Sequence, residues 1–225
     1  MGVTSPKPFL EARSVGRRFG ARVAVADVDF TVDAGNAVAL VGANGAGKST
    51  LLAVLAGALN PTSGEIIRRA SVSRIGWVPQ SPALYGRLTA FENLEHFARL
   101  EGVSRPAQRA NELLDLIEIT QENIPSSELS GGNKQRLNLA VSLLSDPDVL
   151  LLDEPTASLD PRQRRRFWEI AQKLPERGGA LVFATQSLTE VDENASHVFL
   201  LENGSRAFTG TLAEWHFSGT VERVT

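Results

Sequence analysis

From Pro8 to Gly35 the chain alternates apolar and polar residues in short stretches broken by Gly and Asp, PFLEARSVGRRFGARVAVADVDFTVDAG. A period of two with such punctuation predicts antiparallel strands. The next stretch, AVALVGANGAGKSTLLAVLAGALNP, reads as a buried strand, a glycine-rich turn and a helix that stops at Asn60-Pro61. A strand pattern returns around Ile66 and again from Ser73 to Pro79. From Thr89 to about Ile119 the period lengthens: FENLEHFARL sets Phe91, Leu94, Phe97 and Ala98 at three- and four-residue spacing, and NELLDLIEI repeats the idea. A third helix is expected from Gly132 to Ser145, followed by a second buried strand, VLLLDEP. Asp160-Pro161 opens another helix, with Asp as N-cap and Pro in the first turn. ALVFAT is a third buried strand, and HVFLLENGSRAFTG a closing hairpin. Strands that alternate with helices in this way predict an α/β fold with a mainly parallel sheet. One domain over 1–225 is expected, its core and an antiparallel β part drawn from about 1–85 and 147–225, its helical insertion from about 86–146.

Composition narrows the function classes. The 225 residues are 42% hydrophobic and 22% charged, enough apolar material for a large core without cross-links. A net charge of -3 supplies no global basic field, so no nucleic-acid partner is expected. With no cysteine, disulfides and thiolate metal sites are excluded. The first residues, MGVTSPKPFLEARSV, lack the apolar stretch of a secretory signal, and Pro6 stands where a myristoylated Gly2 needs Ser or Thr. Apolar runs such as Val149 to Leu152 fall far below the roughly 18 residues of a membrane span.

Residues 42–49, GANGAGKS, match the phosphate-binding loop, with Gly42, Gly47, Lys48 and Ser49 in register. Glycine lets the backbone curl so that successive amides face phosphate oxygens, and the following helix adds its positive end. Lys48 is expected at the β- and γ-phosphates of ATP and the Ser49 hydroxyl on magnesium. Asn44, Gly45, Ala46 and Thr50 complete the candidate loop contacts. Val149 to Leu152 then deliver Asp153 to the end of a buried strand, where ligands bind in open α/β sheets. Asp153 would hold magnesium, usually through water, and Glu154 would act as general base on the attacking water.

Leu129-Ser130-Gly131-Gly132-Asn133, followed by KQRLNLAVSLL, resembles the LSGGQ signature of ATP-binding cassette proteins. The resemblance, which runs from Phe19 to about Gly210, implies a P-loop NTPase core with an antiparallel β subdomain and an inserted helical subdomain. It implies that Ser130, Gly131 and Gly132 close on the γ-phosphate held by a second cassette, so that ATP joins two cassettes head to tail. It places Phe19 against adenine, although a core Phe is the plainer alternative. Gln80 takes the glutamine-loop position, touching magnesium or water and sensing a transmembrane partner. Ser158-Leu159-Asp160 matches the stretch that crosses the dimer interface, and for Asp160 helix capping is an equally good reason.

Two positions depart from the family pattern. Gln186 follows the third buried strand where most members have a histidine, and His96, His197 and His216 fit no such place. Glutamine donates an amide hydrogen bond but carries no charge; slow hydrolysis and a site that barely turns over both remain open. Asn133 replaces the usual glutamine of the signature. Arg162, Arg164, Arg165 and Arg166 read as a solvated helix face, and Trp77, Trp168 and Trp215 as core or boundary aromatics. The resemblance implies an ATPase subunit, closest to bacterial export-type cassettes, on the cytoplasmic face of a membrane with a separate permease chain. A non-transport cassette on ribosomes or DNA, and a binding-only regulatory cassette, are the alternatives.

Overall fold

The computed structural model describes residues 8–69, 71–72, 74–119 and 123–219. Gly2, Pro6 and Ser73, named above, lie outside them. Strands β1 (Leu10–Phe19) and β2 (Arg22–Val32) pair antiparallel, as their alternation predicts, with β4 (Ser63–Arg68) on the other side of β1. The second sheet has six strands in the order β5 (Ile75–Val78), β6 (Val149–Asp153), β7 (Ala180–Ala184), β3 (Ala37–Val41), β8 (His197–Glu202), β9 (Ser205–Thr211). The first five run parallel and β9 returns antiparallel as the expected hairpin. Every residue of β3, β6 and β7 is buried, and apart from Asp153 at the end of β6 these segments are continuous apolar runs rather than alternating ones.

Alternation survives inside those runs as a choice of face. Val38, Leu40, Leu151 and Val182 face a core shared with Val25 and Phe30 of β2 and with α1 (Lys48–Ala56). Ala39, Val41, Leu150, Leu152 and Phe183 face the opposite core. That second core holds α2 (Ala90–Leu100), α3 (Pro106–Ile117), α4 (Gly131–Ser142) and α5 (Pro161–Ala171). Three short helices follow: α6 (Lys173–Glu176), α7 (Leu188–Asn194) and α8 (Leu212–Phe217).

Some boundaries differ from expectation. Helix α1 ends at Ala56 rather than at Asn60-Pro61, because Gly57 takes φ 79° and returns its N–H to Ala53 and Val54. The two helical patterns at 89–119 are the two helices α2 and α3, as expected, with Gly102 at φ 71° between them. Thr89 and Glu92 cap α2 reciprocally. Helix α4 stops at Ser142, short of Ser145. Trp168 and Trp215 are buried and Trp77 is half-buried, as expected. Among the described residues no helix is long and apolar enough to cross a membrane.

Candidate functional site

Because β7 lies between β3 and β6, the loops leaving these three strands meet at one sheet edge. The loop after β3 is the phosphate-binding candidate. Gly47, at φ 108°, sits so close to β2 that a Cβ there would lie 2.3 Å from the Ala24 carbonyl. At Gly42 a Cβ would lie 2.2 Å from the Leu201 carbonyl. Only glycine fits either place. Gly47 leaves the start of α1 without a side-chain cap, and the first turn has no acidic residue, which keeps its amides open to an anion.

Lys48, buried at the head of α1, donates from Nζ to the carbonyls of Gly42 (2.7 Å) and Ala43 (3.1 Å). Burial pulls its pKa below the usual lysine value, with Glu154 and Asp153 opposing. The Ser49 hydroxyl donates to Asp153 Oδ1 at 3.0 Å. Burial raises the Asp153 carboxyl above its ordinary range, and the Ser49 hydrogen bond and Lys48 only partly offset this. A buried carboxylate beside a hydroxyl, short of counter-charge, suits a hard cation that takes oxygen ligands and completes its shell with phosphate oxygens.

Gly47, Lys48 and Ser49 line a cleft of about 290 Å³ with Asn44, Gly45, Thr50, Gln80, Glu154 and Phe19, and Asp153 is tied to it through Ser49. Phe19 is half-exposed at its mouth, with the Arg17 guanidinium 4.7 Å from the ring centroid. The core-Phe alternative therefore fails. Gly42 and Ala46 support the loop from beneath, Ala46 being buried.

Glu154 leaves β6 with a left-handed backbone, φ 46°, pinned by its N–H to the Ala184 carbonyl of β7. Its carboxylate accepts one amide hydrogen bond from Gln80 (3.0 Å) and another from Gln186 (2.8 Å). The same Gln186 nitrogen donates to Asn44 Oδ1 at 2.8 Å. Gln186 thus spans the phosphate loop and the acid, while His96, His197 and His216 contact Tyr85, Ser196 and Asp192 instead.

The signature residues stand apart from this cleft. Ser130 caps α4 by accepting the Asn133 N–H, and Gly131 faces open space. Gly132 lies under Gln163, whose Oε1 would be 2.1 Å from a Cβ there. Asp160 caps α5 by accepting the N–H of the same Gln163. The capping reason for Asp160 holds, and Gln163 joins it to the signature turn. Ser130, Gly131, Gly132 and Asp160 form no part of the cleft lining.

Residues 25–157 match the family model described as ABC transporter. The chain belongs to the ABC transporter family. A Nod factor export ATP-binding protein of Burkholderia lata is 37% identical, covering 91% of this chain and 71% of that protein. A linearmycin resistance ATP-binding protein of Bacillus subtilis is 31% identical over 90% of this chain and 69% of its own length. A dimeric ATP-binding cassette solved in a post-hydrolysis state with ADP and Pi superposes with a TM-score of 0.80 at 26% identity, over 90% of this chain and 98% of that one. The fold is the P-loop NTPase fold of ABC cassettes, and the chain is an ABC ATPase.

Several residues of this ABC cassette's site escaped the sequence reading. Arg22 and Ala24 of β2 line the cleft, brought there by strand pairing that no local motif announces. The arginine run is not one solvated face. Arg165 is exposed beside Glu169, but Arg166 pairs with Glu118 just past α3 and Arg164 approaches the buried Glu190 of α7. The elements those arginines meet lie far away in sequence, so helical periodicity alone could not separate them.

Proposed function

We propose that this chain is the ATP-hydrolysing subunit of an exporter, that it acts from the cytoplasmic face of a membrane on a separate permease chain, and that it works as a head-to-tail pair of cassettes. The observation that carries this reading is the division of the molecule. Loop and Glu154 share one cleft, with Asp153 hydrogen-bonded to Ser49 beside it, whereas Ser130 and Gly131 are presented on a different surface. A second cassette, identical or different, brings its signature to the phosphate that the first one holds. Relatives named for Nod factor export and linearmycin resistance support the outward direction.

Within the cleft, the α1 amides and Lys48 hold the phosphates, and Phe19 offers its free face to adenine. To reach a phosphate, Lys48 exchanges the Gly42 and Ala43 carbonyls for phosphate oxygens. Ser49, Asp153 and Gln80 would hold magnesium, which supplies charge neutralisation at the phosphates when bound. Glu154 takes the proton of the attacking water as general base. One amide donor on each oxygen leaves a lone pair on each for a water proton, so Gln80 and Gln186 orient the base without blocking it. Gln186 then donates toward the γ-phosphate region from beside Asn44.

Glu154→Gln tests the assignment. ATP should still bind and drive an ATP-dependent dimer in size-exclusion chromatography, with phosphate release lowered about a hundredfold or more. Undiminished turnover would remove Glu154 from the mechanism, and background turnover by the wild type would leave a binding-only cassette.

A further inference from the structure

Beyond the Glu154–Gln186 pair lies a second pocket of about 210 Å³, walled by those two residues and by Thr156, Arg164, Thr185 and Glu190. Glu190 is the buried carboxylate of this group, only 4% exposed. It accepts hydroxyl hydrogen bonds from Thr156 on one oxygen and from Thr185 on the other, the latter at 2.7 Å. Arg164 Nε stands 3.7 Å from Oε1, an ion pair without a hydrogen bond. Burying a carboxylate is costly unless it is paired and hydrogen-bonded, and these groups provide that.

The two threonines belong to different loops. Thr156 lies two residues past Glu154, on the loop leaving β6. Thr185 follows the last residue of β7 and immediately precedes Gln186. The Thr185 hydroxyl also accepts the Ser187 N–H at 3.0 Å, which closes the turn around Gln186. Ser187 in turn caps α7 by accepting the Glu190 N–H. A single carboxylate therefore ties the backbone that carries the base to the backbone that carries its amide partner.

We propose that Glu190 is a positioning residue for hydrolysis, holding Glu154 and Gln186 in register through Thr156 and Thr185. This rests on the assignment of Glu154 as base with Gln186 beside it. Glu190 touches neither nucleotide nor water; it fixes the spacing between two groups that do. Small displacements of such groups cost rate rather than ground-state binding.

The test uses the full chain with steady-state hydrolysis, nucleotide affinity and thermal unfolding measured side by side. Glu190→Ala should lower kcat about tenfold while the Kd for ATP stays within about twofold. Glu190→Gln should recover part of the loss, because an amide can accept from one threonine and donate to the other, whose hydroxyl turns either way. In a Gln186→Ala background the Glu190→Ala loss should shrink rather than multiply, as for residues that act as one unit. Should Glu190→Ala fail to fold, Thr185→Val carries the test: kcat is expected to fall severalfold at unchanged Kd. Wild-type kcat in a folded Glu190→Ala or Thr185→Val variant would overturn the proposal. So would a parallel fall in kcat and ATP affinity, or losses that multiply with Gln186→Ala. Failure of the underlying assignment is visible separately, as wild-type turnover in Glu154→Gln or Gln186→Ala.

Discussion

Gln186 is the residue at which this cassette is least like its family, and the structure gives it two partners, Glu154 and Asn44. A neutral amide already donates to the acid, so position 186 is in contact with the proposed chemistry. A charged donor in its place should be stronger: Gln186→His is expected to raise steady-state hydrolysis about five- to tenfold. It should also introduce a pH dependence near about 6 to 7, where imidazole titrates and glutamine does not. Gln186→Ala should lower the rate below wild type. Unchanged turnover in both variants would exclude the position, and a fall with His would mean the site is built around glutamine. Asp153 makes a second prediction at this scale. Burial raises its pKa, so the folded chain binds that proton more tightly than the unfolded chain does. Its protonated form favours folding, a contribution fully present below the ordinary carboxyl range of about 4 and lost as pH rises through the raised folded value. At neutral pH the ionised carboxylate opposes folding of the nucleotide-free chain. Asp153→Asn should therefore raise Tm at pH 7, with the gain shrinking toward pH about 4, while hydrolysis drops about a hundredfold. A lower Tm at pH 7 would contradict the burial argument.

Elements decide which glycines are indispensable. Gly47 approaches the Ala24 carbonyl of β2 at φ 108°, so a methyl group there meets backbone that cannot withdraw. Gly132 meets only the end of the Gln163 side chain, which can swing away. Gly47→Ala should cost about 2 kcal/mol or more in urea unfolding, and Gly132→Ala less than about 1 kcal/mol. Equal midpoints would refute the distinction. Both residues sit in a glycine motif and look alike in sequence. The difference arises because Gly47 is pressed onto a strand 23 residues earlier, whereas Gly132 is pressed onto a helix side chain. Strands β3, β6 and β7 were legible because burial on both faces requires unbroken apolar runs. The end of α1 was less legible, since Gly57 stops that helix by adopting a positive φ, which local composition does not dictate.

Across the whole molecule, the surface at the start of the helical region is where the proposed function would seat a permease. Tyr85 is half-exposed there, edge-on to His96 with centroids 4.9 Å apart and tilted on Phe97 at 5.6 Å. Photocrosslinkers placed from Tyr85 to Phe97 should capture an integral membrane protein. Capture of ribosomal or nucleic-acid material instead would favour the non-transport alternative.

Short-range chemistry was readable without the fold: the loop at 42–49, the acids after VLLL, the signature turn and the cap at Asp160. Each depends on neighbours within a few residues, so spacing alone carries it. Tertiary structure decided which of these motifs share a cleft. Strand order places β7 between β3 and β6, and only that order sets Gln186 between Asn44 and Glu154. It also sorted the arginine run, sending Arg164 to Glu190 and Arg166 to Glu118 while Arg165 stays at the surface. The partners in these contacts come from separate strands and helices, and local periodicity carries no record of which distant element each side chain will meet.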